Sequence, residues 1–173
     1  LANTTDPNIC SGESTLLTAS GATTYAWAPG NQTGASISVA PSASTTYTVI
    51  GTSSAGCLDT ATISITVNTV PIINLNPQSI TICEGFSAGV DAGLDTNNYS
   101  WSPSIGVNII TGSGDSVVVN PSASTIYTVI STSPQGCSDT ATISVIVDPN
   151  PILALSMDTL ILCPTQTDTI SVS

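Results

Sequence analysis

Short segments of alternating apolar and polar residues recur along the chain. The clearest covers residues 61–67, where Ala, Ile and Val alternate with Thr and Ser, and residues 141–147 alternate in the same way. This period of two predicts half-buried β-strands. A strand at 47–49 precedes the first of them across a turn at 53–56, which predicts a hairpin. Further short strands are expected at 16–19, 25–27 and 37–39, and no segment shows helical spacing with caps.

The chain also repeats itself. Residues 41–50 return almost unchanged as 121–130, and residues 59–64 return as 139–144. The offset between matching residues grows after the tryptophan of the second copy, so that copy carries a loop insertion. Because similarity of this density indicates tandem structural units, the sequence predicts an all-β chain of repeated β-sandwiches.

The repeats divide the sequence into three parts. We predict a first repeat at 1–70, a second repeat with the insertion at 71–150, and the start of a third at 151–173. The third begins with Pro151-Ile152-Leu153, which echoes Pro71-Ile72-Ile73. Since the chain opens at Leu1 and stops within a repeat, we expect a processed or internal piece of a longer array. A less favoured alternative is a polymer whose terminal strand completes the sheet of the next subunit.

Each repeat has few large side chains to fill its core. A sandwich of about 75 residues buries a modest apolar core, so its aromatic residues carry much of the packing. We therefore predict four core anchors, which are Trp27, Trp101, Tyr47 and Tyr127.

The charge of the chain limits the classes of function that we expect for it. The chain has 173 residues, 11 of them acidic, with no Lys, Arg or His, so its formal net charge is -11. A chain without cations cannot neutralise phosphates, and nucleic acid is therefore excluded as an expected partner. It also lacks the usual general bases and metal ligands, so we expect no enzyme activity, no catalytic residue, no cofactor and no metal. No apolar run approaches the ~20 residues of a membrane helix, so no membrane insertion is expected.

Several motifs together resemble a known family. Cys-x-Gly at 10–12, Tyr-x-Trp-x-Pro at 25–29, the segment 41–49 and Gly-Cys at 56–57 are similar to the Ig-like and PKD-like tandem repeats of giant Bacteroidota cell-surface adhesins. Those adhesins are of the gliding-motility type and are type IX secreted. The resemblance covers essentially the whole chain. It implies an Ig-like fold and an extracellular, cell-surface location, and it brings no catalytic residues.

Five cysteines, Cys10, Cys57, Cys83, Cys137 and Cys163, indicate disulfides and an oxidising compartment. In Ig topology the positions of Cys10 and Cys57 lie at opposite poles, about 20 Å apart, too far for a bond. The leading prediction is therefore Cys10–Cys137 across the junction between repeats. Cys83 would bond the missing part of the third repeat, and Cys57 and Cys163 would bond copies beyond this segment. The alternatives are pairing within repeats, as Cys10–Cys57 and Cys83–Cys137, and free thiols or a metal site.

Five Asp residues are followed by Ser or Thr and then by a methyl-bearing residue. This pattern resembles the O-glycosylation sequon of Bacteroidota, and it makes O-glycosylation candidates of Thr60, Ser116, Thr140, Thr159 and Thr169. The competing interpretation is that Asp is simply a turn residue at the start of a strand. Asp91, Asp95, Asn97 and Asn98 carry the oxygen ligands that Ca²⁺ prefers, but the first repeat lacks them and we interpret them as a solvated turn.

The favoured function is structural: a repeat segment of a long extracellular stalk or filament of a bacterial surface adhesin. Its partners would be neighbouring repeats of the same chain or filament, with a glycan or other surface ligand at a distal tip. The alternative is a carbohydrate- or protein-binding Ig-like module that uses loops such as the insertion 105–114. An exposed aromatic platform at that loop, formed by Tyr99 or Trp101, would favour the alternative.

Overall fold

The computed structural model describes residues 1–93 and 97–152, and these residues form β-strands and turns without a helix. The strands of the first repeat are β1 (Ala2–Thr4), β2 (Asn8–Cys10), β3 (Thr15–Ala19), β4 (Thr24–Ala28), β5 (Gln32–Thr33), β6 (Ser36–Val39), β7 (Thr45–Thr52) and β8 (Leu58–Asn68). Those of the second are β9 (Ser79–Cys83), β10 (Ala88–Asp91), β11 (Asn98–Ser102), β12 (Val107–Ile109), β13 (Ser116–Val119), β14 (Thr125–Thr132) and β15 (Ser138–Asp148).

The first repeat is a sandwich of two sheets. One sheet has the order β1-β3-β6 and the other has the order β2-β8-β7-β4-β5. The chain enters in one sheet, where β1 is antiparallel to β3, and then crosses to the other, where β2 runs parallel to β8. The predicted hairpin is present as β7 and β8, with Tyr47 opposite Ile63 and Thr48 opposite Thr62.

The second repeat has the same plan with two changes, of which the first is that an isolated bridge between Asn76 and Asp91 takes the place of the pairing of β1 with β3. Its sheets have the orders β10-β13-β12 and β11-β14-β15-β9, and β9 again runs parallel to the last strand. In the first repeat the short strand β5 extends the sheet of β4, whereas in the second the corresponding region forms β12, which pairs with β13 in the opposite sheet. The insertion therefore leaves β11 at the edge of its sheet.

Each sandwich has its own core. The buried apolar cluster of the first repeat runs from Ile9 to Ile65, and that of the second from Ile80 to Val145. All four predicted anchors are buried, with exposed fractions of 1% for Trp27, 9% for Trp101, 6% for Tyr47 and 0% for Tyr127.

The two tryptophans occupy the same place in both copies. The indole Nε1 of Trp27 donates to the carbonyl of Gly34 at 2.9 Å, and that of Trp101 donates to the carbonyl of Gly114 at 2.8 Å. Among the described residues no sheet combines strands of the two repeats. The chain is thus an all-β protein of tandem Ig-like β-sandwiches.

Candidate functional site: the junction between the repeats

The structure joins the two repeats by a disulfide bond between Cys10 and Cys137. Their Cα atoms lie 5.7 Å apart, although the residues are separated by 127 positions in the sequence. This is the pairing between repeats that the sequence analysis favoured.

Strand order explains why these two cysteines meet. Because β2 runs parallel to β8, Cys10 lies opposite Asn68, at the point where the chain leaves the first repeat. Cys137 lies in the turn between β14 and β15, just before β15 begins. Since β9 runs parallel to β15, that turn lies at the end where the chain enters the second repeat. The sulfur of Cys137 lies 4.0 Å from the carbonyl oxygen of Asn68, so the bond sits against the start of the connecting segment.

No disulfide bond forms within either repeat among the described residues, because the long last strand keeps the two cysteines of a repeat apart. Cys57 precedes β8, whereas Cys10 lies beside the end of β8. The 11 residues of that strand separate the two positions by about 36 Å at ~3.3 Å per residue. No disulfide can cross that distance. In the structure Cys57 and Cys83 are free and exposed, and Cys163 lies outside the described residues.

The junction is acidic as well as covalent. The side chain of Glu13 accepts a hydrogen bond from the backbone N–H of Cys10 at 2.8 Å. At the far end of the second repeat, Asn150 donates its side-chain amide to the carbonyl of Glu84 at 3.2 Å. With no Lys, Arg or His in the sequence, no side-chain cation balances the carboxylate of Glu13. No ion pair between side chains therefore links the repeats, whereas the disulfide bond does.

The O-glycosylation candidates differ in accessibility. Thr60 and Thr140 are exposed, at equivalent positions near the starts of β8 and β15. Ser116 is half-buried on β13, and its hydroxyl donates to the carboxylate of Asp91. A glycan on Ser116 would require this hydrogen bond to break. Thr159 and Thr169 lie outside the described residues.

The interpretation of the Asx-rich loop as a solvated turn is wrong in part. Asn97 is buried, with 8% of its surface exposed, while Asp91 belongs to β10 and Asp95 lies outside the described residues. The region near Trp101 also presents no aromatic platform, because Tyr99 is only 7% exposed and packs in the core.

Sequence reasoning missed Asp115 as a structural group. This side chain is 8% exposed and accepts hydrogen bonds from the hydroxyls of Thr111 and Ser113 and from the N–H of Ser116. The hydroxyl of Thr111, then that of Ser113, hold the pKa of Asp115 below its ordinary value of 3.8. Its sequon-like context drew attention to Ser116, whereas the carboxylate itself organises the loop.

Among residues 1–93 and 97–152, no helix has the length and hydropathy needed to span a membrane. Within the same ranges, no group of three or more His, Cys, Asp and Glu side chains is arranged to hold a metal ion.

Among known proteins, this chain resembles several solved structures in fold. No protein-family model matches the sequence, and no curated protein matches it. Among solved structures, the N-terminal eight Ig domains of Down syndrome cell adhesion molecule match at 14% identity over 86% of this chain, with a TM-score of 0.47. Titin domains I67–I69 match at 18% identity over 82% of this chain, with a TM-score of 0.41. Three N-terminal domains of the outer capsid protein Hoc of bacteriophage RB49 match at 16% identity over 92%, also with a TM-score of 0.41.

This chain spans 24% of the first of these structures, 62% of the second and 61% of the third. At such low identities the likeness concerns the fold alone.

Proposed function

We propose that this chain is a structural segment of a long extracellular stalk or filament of a bacterial surface adhesin. In this proposal the organism belongs to the Bacteroidota and exports the protein by type IX secretion. The repeats, bounded near 1–70, 71–150 and from 151 onward, act as spacers that project a distal adhesive tip. Stacked repeats that contact only their neighbours extend such a stalk by simple duplication.

The observation that carries the proposal is the disulfide between Cys10 and Cys137. Two domains joined by a short linker alone are free to bend, because interfaces between domains are small. A second covalent connection beside the linker removes much of that freedom. A bond placed between repeats, rather than inside one, therefore favours a role that depends on the shape of the whole array.

Surface chemistry supports the same role. The chain has 11 acidic residues and no Lys or Arg, so trypsin-like proteases find no cleavage site along it. Thr60 and Thr140 are exposed at the same place in successive repeats. O-glycans there would form a regular series along the stalk and would hydrate a chain that carries few charges.

Disulfide mapping on native material tests this proposal first. Cleavage with a protease that cuts after both Glu and Asp separates Cys10 from Cys57 at Glu13. Mass spectrometry is then expected to yield a peptide pair that contains Cys10 and Cys137. The same spectra are expected to show hexose on the peptides that contain Thr60 and Thr140, and not on Ser116. A peptide pair that joins Cys10 to Cys57 would contradict the locked junction.

A measurement of shape tests the mechanical part. Small-angle X-ray scattering of the oxidised chain is expected to give one narrow distribution of dimensions. The double variant C10S/C137S removes the bond with little change in side-chain volume, and it is expected to broaden that distribution. The variant C57S, which leaves the junction intact, serves as the control. Equal distributions for the oxidised chain and C10S/C137S would show that the linker alone fixes the geometry.

A second candidate is a module that binds another protein through the insertion. It is favoured by three aliphatic side chains in and beside that loop, since Ile105, Ile109 and Ile110 are 80%, 62% and 63% exposed. Exposed aliphatic residues of this kind suit a protein surface better than a glycan. Loss of adhesion in the variant I109S/I110S, with stability unchanged, would favour this candidate over a passive spacer.

A further inference from the structure

The two free cysteines occupy turns that match the turns of the bonded pair. At the end of β2, the N–H of Ser11 donates to Asn68 at 2.9 Å and the N–H of Glu13 donates to Cys10 at 3.0 Å. At the end of β9, the N–H of Glu84 donates to Asp148 at 2.9 Å and that of Phe86 donates to Cys83 at 3.0 Å. Cys83 is therefore held by the same backbone bonds as Cys10.

The turns before the last strands match as closely. The N–H of Cys137 donates to the hydroxyl of Ser133 at 3.1 Å, and the N–H of Cys57 donates to the hydroxyl of Ser53 at 3.1 Å. The backbone N–H of Ser133 in turn donates to the carbonyl of Cys137 at 2.8 Å, and the backbone N–H of Ser53 donates to the carbonyl of Cys57 at 2.9 Å. The free cysteines thus have the local geometry of the bonded ones before any bond exists.

The bonded and the free cysteines differ in how far they are exposed to solvent. Cys137 is 1% exposed, whereas its counterpart Cys57 is exposed. Cys10 is half-buried, whereas its counterpart Cys83 is exposed. Because the local turns are the same, the neighbouring repeat accounts for the difference. Phe86, whose backbone N–H donates to the carbonyl of Cys83, is also 66% exposed.

We propose that Cys57 and Cys83 are complementary half-sites that join this chain, head to tail, to further repeats of the same kind. Cys83 bonds the turn cysteine of the repeat that follows, and Cys57 bonds the cysteine equivalent to Cys10 and Cys83 in the repeat that precedes. The inference rests on the proposed role as a stalk and extends it by naming the partner. The bonded pair Cys10–Cys137 is the observed instance of the same joint.

The direction of pairing follows from where the half-sites lie. Cys83 is at the end where the chain leaves a repeat, and Cys57 is at the end where the chain enters one. A bond between two different faces is heterologous, so it propagates into an open chain instead of closing a dimer. A bond between two copies of Cys83 would instead bring Glu84 of one copy against Glu84 of the other, with no cation available to compensate.

The chemistry is ordinary thiol oxidation. Two thiols lose two protons and two electrons and form one S–S bond, while a small-molecule disulfide such as oxidised glutathione accepts them and becomes two thiols. Exchange through mixed disulfides lets the most stable pairing accumulate.

Two variants of the full chain test the direction of pairing. Both carry C163S, which removes the fifth cysteine. One also carries C57S and keeps Cys83, while the other also carries C83S and keeps Cys57. The two proteins, one of them labelled with ¹⁵N, are mixed in a glutathione redox buffer. Dimers are then separated without reductant and weighed by mass spectrometry.

We expect the mixed dimer, linked Cys83 to Cys57, to exceed either homodimer by about fivefold or more, against about twofold for random pairing. The chain that carries only C163S is expected to form a ladder of head-to-tail oligomers. A random distribution, a majority of homodimers or no mixed dimer overturns the inference.

Peptide mapping of the separated dimers, with a protease that cuts after Glu and Asp, shows which cysteines are bonded and keeps this inference separate from the proposed function. If Cys10–Cys137 is present in every variant and mixed dimers do not exceed random, the locked junction stands and the half-sites fail. If Cys10–Cys137 is absent from the chain, the locked junction fails whatever the dimers show.

Discussion

At the scale of single residues, Asp115 shows how a hydroxyl-rich sequence holds a carboxylate without a cation. Its Oδ1 accepts hydrogen bonds from two side-chain hydroxyls and one backbone N–H, and these donors favour the ionised form. The pKa of Asp115 therefore lies below the ordinary 3.8. A group of this kind adds stability above its unfolded-state pKa and loses it as the pH falls through the folded-state value.

The pH dependence of the second repeat follows from this shift. We expect the urea midpoint of its unfolding to fall as the pH drops below about 4, because Asp115 must then take up a proton. The variant D115N cannot ionise, so it should be less stable near pH 7 and should lose less stability in acid. D59N, at an exposed position in the first repeat, is the matched control and should keep the acid loss of the second repeat.

At the scale of elements, the insertion depends on one glycine. Gly114 has a φ of +78°, and a Cβ there would lie 2.8 Å from the backbone oxygen of Tyr99. The same residue accepts the indole bond of Trp101. The turn before β13 therefore approaches the edge strand β11 so closely that no side chain fits between them.

This contact gives a prediction with a control in the same loop. We expect G114A to destabilise the second repeat by about 1–3 kcal/mol, because it combines a left-handed backbone with a backbone clash. Gly112 has open space around its Cβ position, so G112A should change the free energy of unfolding by less than about 0.5 kcal/mol. Equal effects in urea unfolding would show that the loop moves away from β11 at little cost.

At the scale of the whole molecule, the two repeats share a bond but not a core. The buried clusters lie entirely within 9–65 and 80–145. Each contains one tryptophan, so each repeat carries its own fluorescent reporter. Substitutions in separate cores with no shared contacts are expected to act independently.

The tryptophans make this independence measurable. W101F removes a buried indole and its hydrogen bond, and should destabilise the second repeat by about 1–3 kcal/mol. The remaining fluorescence comes from Trp27 and should report an unchanged midpoint for the first repeat. W27F is the reciprocal experiment. A shift of the Trp27 transition in W101F would mean that the junction couples the two cores.

The local alternation of apolar and polar residues was sufficient to predict the strands that bury one face. The alternation at 61–67 and 141–147 predicted β8 and β15, because a period of two places every second side chain against the core. The structure extends both strands to 11 residues, since the ends of a strand are set by its partner rather than by its own pattern. The short strands β5 and β12 carry no alternation, and the sequence did not show that they would join opposite sheets.

The sequence by itself determined the all-β class, the repetition and the absence of side-chain cations, because these depend on periodicity, identity and composition. It also reduced the disulfide pairing to alternatives through the distance between the two poles of a sandwich. Only the tertiary structure brought Cys10 to Cys137, because their contact depends on how one sandwich is set against the next. Only the tertiary structure buried Asn97 and Asp115, since burial of a polar loop depends on donors that packing supplies and that no local pattern shows.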